Sequence, residues 1–364
     1  MFESHRVLNR YVLREYLKVF SLSLSSLLLI YLIVLFFQKI ELFIKHQASF
    51  TLIFLYLLYK TPEVIFQWTL PYGALLATLL TLGTLSRHSE IIAMKAGGVS
   101  LYRIIFPLFI IALFMGFCSF LGNEYLVPHA NQEARYLLSV QVKKETPASF
   151  FKNYKIWYRS DHHIFNIQLL DPENKALKGF TLYKFDDQFR CLQRIDANEV
   201  KWINGKWKFS DGSVRDFDEG GSIQTTPFKE LELSLTETWE SLQGIERRSL
   251  EMSYTELSTY IKKIKSAGYD STRYLVDLYA KLSYPFLNLI MILIGVPFAL
   301  KTGRSGGVAL NIGVSVMIGF AYGVAFYVFL SFGKSGVLSP FLSSWIPTIL
   351  FGLAGIFTLM SLRQ

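Results

Sequence analysis

Charged residues are scarce in this chain. They make up 18% of its 364 residues, against roughly 25% in a soluble globular protein, which argues against an ordinary cytoplasmic enzyme. Cysteine is scarcer still: Cys118 and Cys191 are the only two, and they cannot build a disulfide scaffold. With 11 prolines, 24 glycines and 51% hydrophobic residues, the composition excludes disorder and collagen-like repeats. A nucleotide-binding loop is missing too. The one Gly-Lys-Ser, Gly333-Lys334-Ser335, would need a glycine at position 328, where Val328 stands.

What the chain does have is long apolar runs. Six stretches lack any Asp, Glu, Lys, Arg or His: Val19–Phe37, Val64–Ser86, Ile104–Asn123, Leu282–Leu300, Val308–Gly333 and Ser335–Leu362. Each reaches about the 20 residues that a bilayer-spanning helix needs. The last is longer than one span, and its helix is expected to begin near Phe341. The first is too long for a secretory h-region and has no small-x-small cleavage site after it, so it reads as a retained membrane helix. The mean hydropathy of +0.32 is modest for six spans, which calls for a soluble part as well.

That part is the segment 125–278. It carries 22 Lys+Arg and 22 Asp+Glu, so all of the +9 net charge belongs to the membrane portion. A neutral insert does not suit nucleic-acid binding, which needs a basic domain. Cations in the short loops give the orientation. One side holds Arg6, Arg10, Arg14, Lys18, Arg87, Lys95, Arg103, Lys301, Arg304 and Arg363; the other holds only Lys39, Lys45, Lys60 and Lys334. The first side, with both termini, reads as cytoplasmic, and the insert then lies outside.

Short β-branched and aromatic runs recur in the insert: Lys155–Arg159, Ile164–Leu170, Phe180–Phe185, Glu199–Ile203, Lys206–Phe209 and Ser213–Phe217. Asn204-Gly205 between two of them predicts a tight hairpin. Asp171-Pro172 and Asp211-Gly212 read as further turns. The spacing predicts a β-sandwich or jellyroll. Ser253-Tyr-Thr-Glu256 fits a capping box that opens a helix, and Ala267-Gly268 fits its stop. An amphipathic stretch, Ser271–Lys281, then leads into span four. The layout is therefore membrane α-helical, six transmembrane helices in a 3+3 arrangement with an inserted extracytoplasmic all-β, jellyroll-like domain. Its parts are 1–124 (spans one to three), 125–252 (β domain), 253–278 (helical connector) and 279–364 (spans four to six).

Two places could carry function. The loop Leu85-Ser-Arg-His-Ser-Glu-Ile-Ile-Ala-Met-Lys-Ala-Gly-Gly98 has helix formers, a serine placed for an N-cap and two glycines at its end. Ile91 and Met94 share one face. Such a helix either docks on a soluble partner or simply lies at the membrane interface. Lys39 and Lys45 follow span one on the cation-poor side, with Glu41 between them. They read either as snorkelling anchors or as groups meeting an anionic headgroup.

Other candidates are weak. His162-His163 has no partner cluster at metal-ligand spacing, so no metal or cofactor is expected. Ser149-Phe-Phe-Lys152 and Lys301-Thr-Gly303 form a chance likeness to penicillin-binding enzymes, on opposite sides of the membrane. The spans hold no ionisable side chain, which argues against an ion-coupled carrier. They do hold prolines, and small residues such as Gly319-Phe-Ala-Tyr-Gly323, a pattern that permits close helix contact.

Further residues carry a resemblance that covers nearly the whole chain. They are Arg10-Tyr-Val12, Pro62-Glu63, Leu70-Pro71, Ser89-Glu-Ile-Ile-Ala-Met-Lys-Ala-Gly97, Glu251-Met-Ser-Tyr-Thr-Glu-Leu257 and Ser266-Ala-Gly-Tyr-Asp270. Tyr284-Pro-Phe286, Gly295-Val-Pro-Phe-Ala-Leu300, Gly303-Arg-Ser-Gly-Gly307 and Trp345-Ile-Pro347 complete the set. The chain resembles the lipopolysaccharide-export permease family, LptF/LptG, with the coupling segment and last two spans nearer the LptG branch. The resemblance implies a noncatalytic subunit of an ABC-type exporter in the Gram-negative inner membrane. It would pair with a paralogous permease subunit, sit on an LptB-like ATPase dimer and receive the helix of a single-span LptC-like protein. Lipopolysaccharide would leave the membrane for a periplasmic bridge. Segment 86–98, with Arg87, Glu90, Ile91, Met94 and Gly97, would be the ATPase-coupling helix. Lys39 and Lys45 would lie near the lipid headgroup, and spans one and five would form a lateral gate. The alternative class, a membrane enzyme acting on lipid intermediates, would need an acid, His or Ser constellation, and the sequence offers none.

Overall fold

A computed structural model of the chain describes residues 2–143, 149–152, 155–160, 163–171, 175–186, 188–203, 205–217, 223–233, 235, 239, 249–266, 270–302 and 307–362. They divide into two compact units, Met1–Leu137 with Ser249–Gln364, and Leu138–Arg248.

The first unit is helical. Its first half holds α1 (Phe2–Lys45), α2 (Phe50–Glu63), α3 (Leu70–Arg87), the short α4 (Glu90–Ala96), α5 (Leu101–Leu121) and α6 (Val127–Tyr136). Its second half holds α7 (Tyr254–Ser266), α8 (Thr272–Ser283), α9 (Leu287–Thr302), α10 (Val308–Lys334) and α11 (Pro340–Met360). Six helical stretches are long and apolar enough to cross a bilayer: Val7–Lys45, Phe50–Arg87, Leu101–Val142, Thr272–Lys301, Val308–Lys334 and Pro340–Met360. They match the six charge-free runs, but the first four extend well beyond them. A charge-free run marks hydrocarbon depth, whereas a helix keeps its own backbone bonds on into water. The sixth starts at Pro340, one residue from the expected Phe341, with the Ser339 hydroxyl accepting from Leu342 N–H.

Spans two and four form the centre. Leu75, Leu79 and Leu82 of α3 and Met291, Ile292 and Val296 of α9 are buried in one cluster, with Tyr322 and Phe326 of α10 beside them. Glycine lets the helices approach. At Gly319 an added Cβ would come within 2.9 Å of the Tyr72 ring. One half of the Gly319–Gly323 pattern is thus spent on packing an aromatic ring inside the chain. Spans one and five are the least covered. Leu22, Leu29, Phe37, Val316, Met317 and Phe320 stand exposed along them.

Span two is interrupted by a π-helical turn, Val64–Thr69, just before Pro71. Proline has no N–H to give to the carbonyl four residues back. The Tyr284 hydroxyl of span four donates to that carbonyl, Gln67 O, and Ser119 of span three donates to Phe66 O at 3.1 Å. Neighbouring spans thus supply donors that this stretch of backbone cannot.

The second unit is a single antiparallel sheet in chain order: β1 (Ser149–Lys152), β2 (Lys155–Ser160), β3 (His163–Asp171), β4 (Ala176–Phe185), β5 (Cys191–Ile203), β6 (Lys206–Phe217) and β7 (Ile223–Leu233). Every connection among these strands is a hairpin. A single hydrophobic cluster gathers Phe165, Ile167, Phe180, Leu182, Ile195, Val200, Trp207 and Phe209 with Trp239. The Asn204-Gly205 hairpin forms, with Ile203 facing Lys206 and Gly205 at φ +79°; Asn204 itself lies outside the described residues, as do His162, Pro172 and Ala267-Gly268.

Three expectations change. Asp211-Gly212 is not a turn: the two flanking runs join in β6, and Gly212 pairs with Ala197 and Phe228. A Cβ there would meet Asp196 O at 2.1 Å, so the glycine serves a close backbone approach rather than a reversal. Strands β1 and β7 went unpredicted, β7 because its Thr225-Thr-Pro-Phe228 reads as a breaker; proline is tolerated because nothing pairs with its outer side among the described strands. The β unit is also narrower than 125–252, since helix continues to Val142. Pro128 at the start of α6 favours that continuation.

The joints between the two halves of the first unit are polar. Ser253 and Glu256 form the expected capping box, each side chain bonded to the other's backbone N–H at 3.1 Å. Glu124 adds a second cap, accepting from the N–H of Tyr254 at 2.6 Å and from the Thr255 hydroxyl at 2.7 Å. Lys60, counted above among the outer cations, is tied to Glu63 at 2.7 Å and Asn131 at 3.0 Å.

Candidate coupling segment and lipid-facing residues

The segment after span two splits. Helix α3 runs on through Ser86 to Arg87, whose side chain is exposed. His88 and Ser89 turn the chain, and α4 covers only seven residues. Ser89 holds the N-cap position, but in the left-handed region at φ 59° and with no side-chain bond to the helix. The other end closes as a Schellman motif. Gly98 N–H reaches Lys95 O at 2.9 Å and Val99 N–H reaches Met94 O at 3.1 Å. The residue that needs the positive φ is Gly98, at +82°; Gly97 keeps an ordinary φ of −77°.

Ile91 and Met94 do share a face, and that face turns inward. Ile91 is buried in the membrane core, with Met94 and Val99 packed against the same cluster. The outward surface is made of Ile92, Ala93, Lys95, Ala96 and Gly97, with Arg87 and His88 before them. Glu90 lies at the edge. Its Oε2 accepts the Tyr11 hydroxyl of α1 at 2.8 Å, and its Oε1 stands 4.0 Å from His88 Nδ1. The sequence reading missed Tyr11. The two residues are 79 positions apart, and nothing in a helical pattern announces such a pair.

Lys39 and Lys45 both lie near the end of α1. Lys39 is half-buried and Lys45 exposed, and neither forms an ion pair among the described residues. That separates them from Lys60 and from Lys334, which is bonded to Asp277 at 2.7 Å. Below them an aromatic stack also escaped notice. Tyr31 of α1, Trp68 of the π turn and Tyr327 of α10 lie in series, with centroids 5.9 and 6.0 Å apart. Spans one, two and five thus meet on aromatic faces. Trp68 could have been flagged as the one tryptophan among the first three apolar runs.

The sequence profile described as lipopolysaccharide export system permease LptF/LptG matches residues 10–361. The chain belongs to that family. The permease is similar to two curated proteins named lipopolysaccharide export system permease protein LptG. The one from Haemophilus influenzae is 25% identical over 293 residues, covering 77% of this chain and 78% of its own length. The one from Escherichia coli K12 is 23% identical over 313 residues, covering 84% of each. Six apolar helices and this family make the permease a multi-pass inner-membrane protein of a lipopolysaccharide export system. Its family is that of the permease subunits of this system.

Proposed function

We propose that this permease is the membrane-spanning half of an ATP-driven exporter whose energy comes from a separate ABC ATPase dimer. The observation that carries this reading is α4. It is a short, capped helix, seated on the core through Ile91 and Met94, that presents a mixed apolar and basic surface beside the cation-rich loops. A firmly seated helix with an outward face can pass on a push from a docked partner. Arg87, Glu90 and Gly97 edge this surface, and Ile91 and Met94 hold it in place.

On this reading the cation-rich side is cytoplasmic and the β unit periplasmic. Lys39 and Lys45, without acidic partners among the described residues, meet the phosphates of the lipid headgroup. The open faces of spans one and five form the lateral gate, where a paralogous permease subunit and a single-span LptC-like helix complete the wall. The lipid then passes to a periplasmic bridge.

Co-purification with a separately encoded ATPase tests the reading. Stoichiometric association, weakened in Glu90→Ala, supports it. Full association and unchanged lipopolysaccharide release in that variant would remove Glu90 from the coupling surface.

A further inference from the structure

Among the described residues, one polar bond joins helix α4 to span one. Tyr11 donates to Glu90 Oε2 at 2.8 Å. Next to it on α1, Val12 and Tyr16 are wholly buried, and the Tyr16 hydroxyl donates to Ala74 O of α3 at 3.4 Å. Beyond this anchorage one side of α1 is exposed, at Leu22, Leu29, Ile30, Ile33, Val34 and Phe37, while Ser23 and Phe43 are buried and Tyr31 stacks on Trp68. Helix α1 is thus held at several points along its length, and Tyr11 is the point at which it is bonded to α4.

We propose that Tyr11 is a positioning residue that fixes the Glu90 carboxylate on α1 and hands movements of α4 to span one. The inference rests on the proposed docking of an ATPase on α4. With one carboxylate oxygen bonded to Tyr11, the side chain is pre-oriented, and the other oxygen stays open to a cation on the docked partner. Any shift of Glu90 then acts directly on α1, next to the buried Val12 and Tyr16. Without the hydroxyl, α4 still docks through its outer face, but its motion is no longer fastened to span one.

The test uses the permease assembled with its ATPase in lipopolysaccharide-loaded proteoliposomes and compares Tyr11→Phe, Glu90→Ala and the double variant. The phenyl ring keeps the packing, so Tyr11→Phe should leave the melting temperature and ATPase stoichiometry unchanged and hydrolysis within about twofold. Lipopolysaccharide released per ATP should fall about fivefold, the ratio that a hydrogen bond worth ~1 kcal/mol would give. The double variant should release no less than Glu90→Ala alone, because both changes cut one link. Release per ATP unchanged in Tyr11→Phe but lowered in Glu90→Ala would overturn the role of Tyr11 and leave the docking intact. Full ATPase association and full release in Glu90→Ala would overturn the docking and the link together.

Discussion

Arg135 donates to the Glu251 carboxylate at 2.8 Å, across 116 residues of sequence. One lies at the end of α6, where the chain leaves the helical unit, and the other just before α7, where it has returned. Gln132 strengthens the closure by donating to Glu251 O at 2.7 Å, and Asn131 donates to Leu250 O at 3.4 Å. The two ends of the insert are thereby held together whatever the β unit does. Glu251 is only 7% exposed, so removing Arg135 leaves a carboxylate with little water to replace it. Arg135→Ala should cost about 2–3 kcal/mol, read as a lower melting temperature in detergent. The exchange Arg135→Glu with Glu251→Arg should recover part of that loss. If each single variant melts like the parent, the closure is not held by this pair.

Glycine packing gives a paired comparison on one helix. Gly319→Ala would drive a methyl group into the Tyr72 ring, whereas a Cβ at Gly313 meets nothing within 4 Å. Overpacking of this kind costs about 1–3 kcal/mol. Removing an exposed helical glycine should instead be neutral or gain up to about 1 kcal/mol. Melting temperatures of the two variants should therefore move in different directions, or at least differ clearly. Equal shifts would mean that Tyr72 yields at no cost.

Much of this was legible in the sequence because the bilayer imposes simple rules. Charge-free runs marked all six spans, and Ser253 with Glu256 announced a cap that forms as expected. Glycines after Ala96 announced the end of α4. What escaped notice depends on tertiary partners. Tyr11–Glu90, Arg135–Glu251 and the Tyr31–Trp68–Tyr327 stack join residues far apart in the chain, and no local period encodes them. The inward turn of Ile91 and Met94 was hidden for the same reason. An apolar face on a short helix shows that something covers it, not whether that is a partner or the protein's own core.

Lys39 tests the lipid-facing assignment. Its ammonium has no acidic partner among the described residues, so a charge reversal breaks no ion pair seen there. Lys39→Glu should leave folding and ATPase association unchanged while reducing photocrosslinking of lipopolysaccharide to probes on the outer half of span one. A three-fold or greater loss corresponds to roughly 0.7 kcal/mol or more of headgroup attraction. The same substitution at Lys334 is the control, because it breaks the bond to Asp277 and should act on stability instead. Unchanged crosslinking in Lys39→Glu would return that lysine to the class of snorkelling anchors.

The approach to span four carries a pH signature. Asp270 sits just before α8 and accepts from Thr272, both from the hydroxyl and from the backbone N–H at 2.9 Å. The Thr272 hydroxyl bond first, and the backbone bond second, hold its carboxyl below the usual carboxylate range. A depressed pKa means that the folded chain favours the ionised form. The resulting stability is present above the unfolded value, near 3.9, and is lost as pH falls through the lower folded value. Asp270→Ala should therefore destabilise the parent at pH 6–7 by about 0.5–1 kcal/mol, the usual scale for losing such a local cap. The gap should begin to shrink as pH falls below the unfolded value and close only below the lower folded value, where the parent carboxyl is itself protonated. Melting curves of the two proteins across this range give the comparison directly. A gap that stays constant down to pH 3 would show that the carboxylate charge contributes nothing and that only the shape of the turn matters.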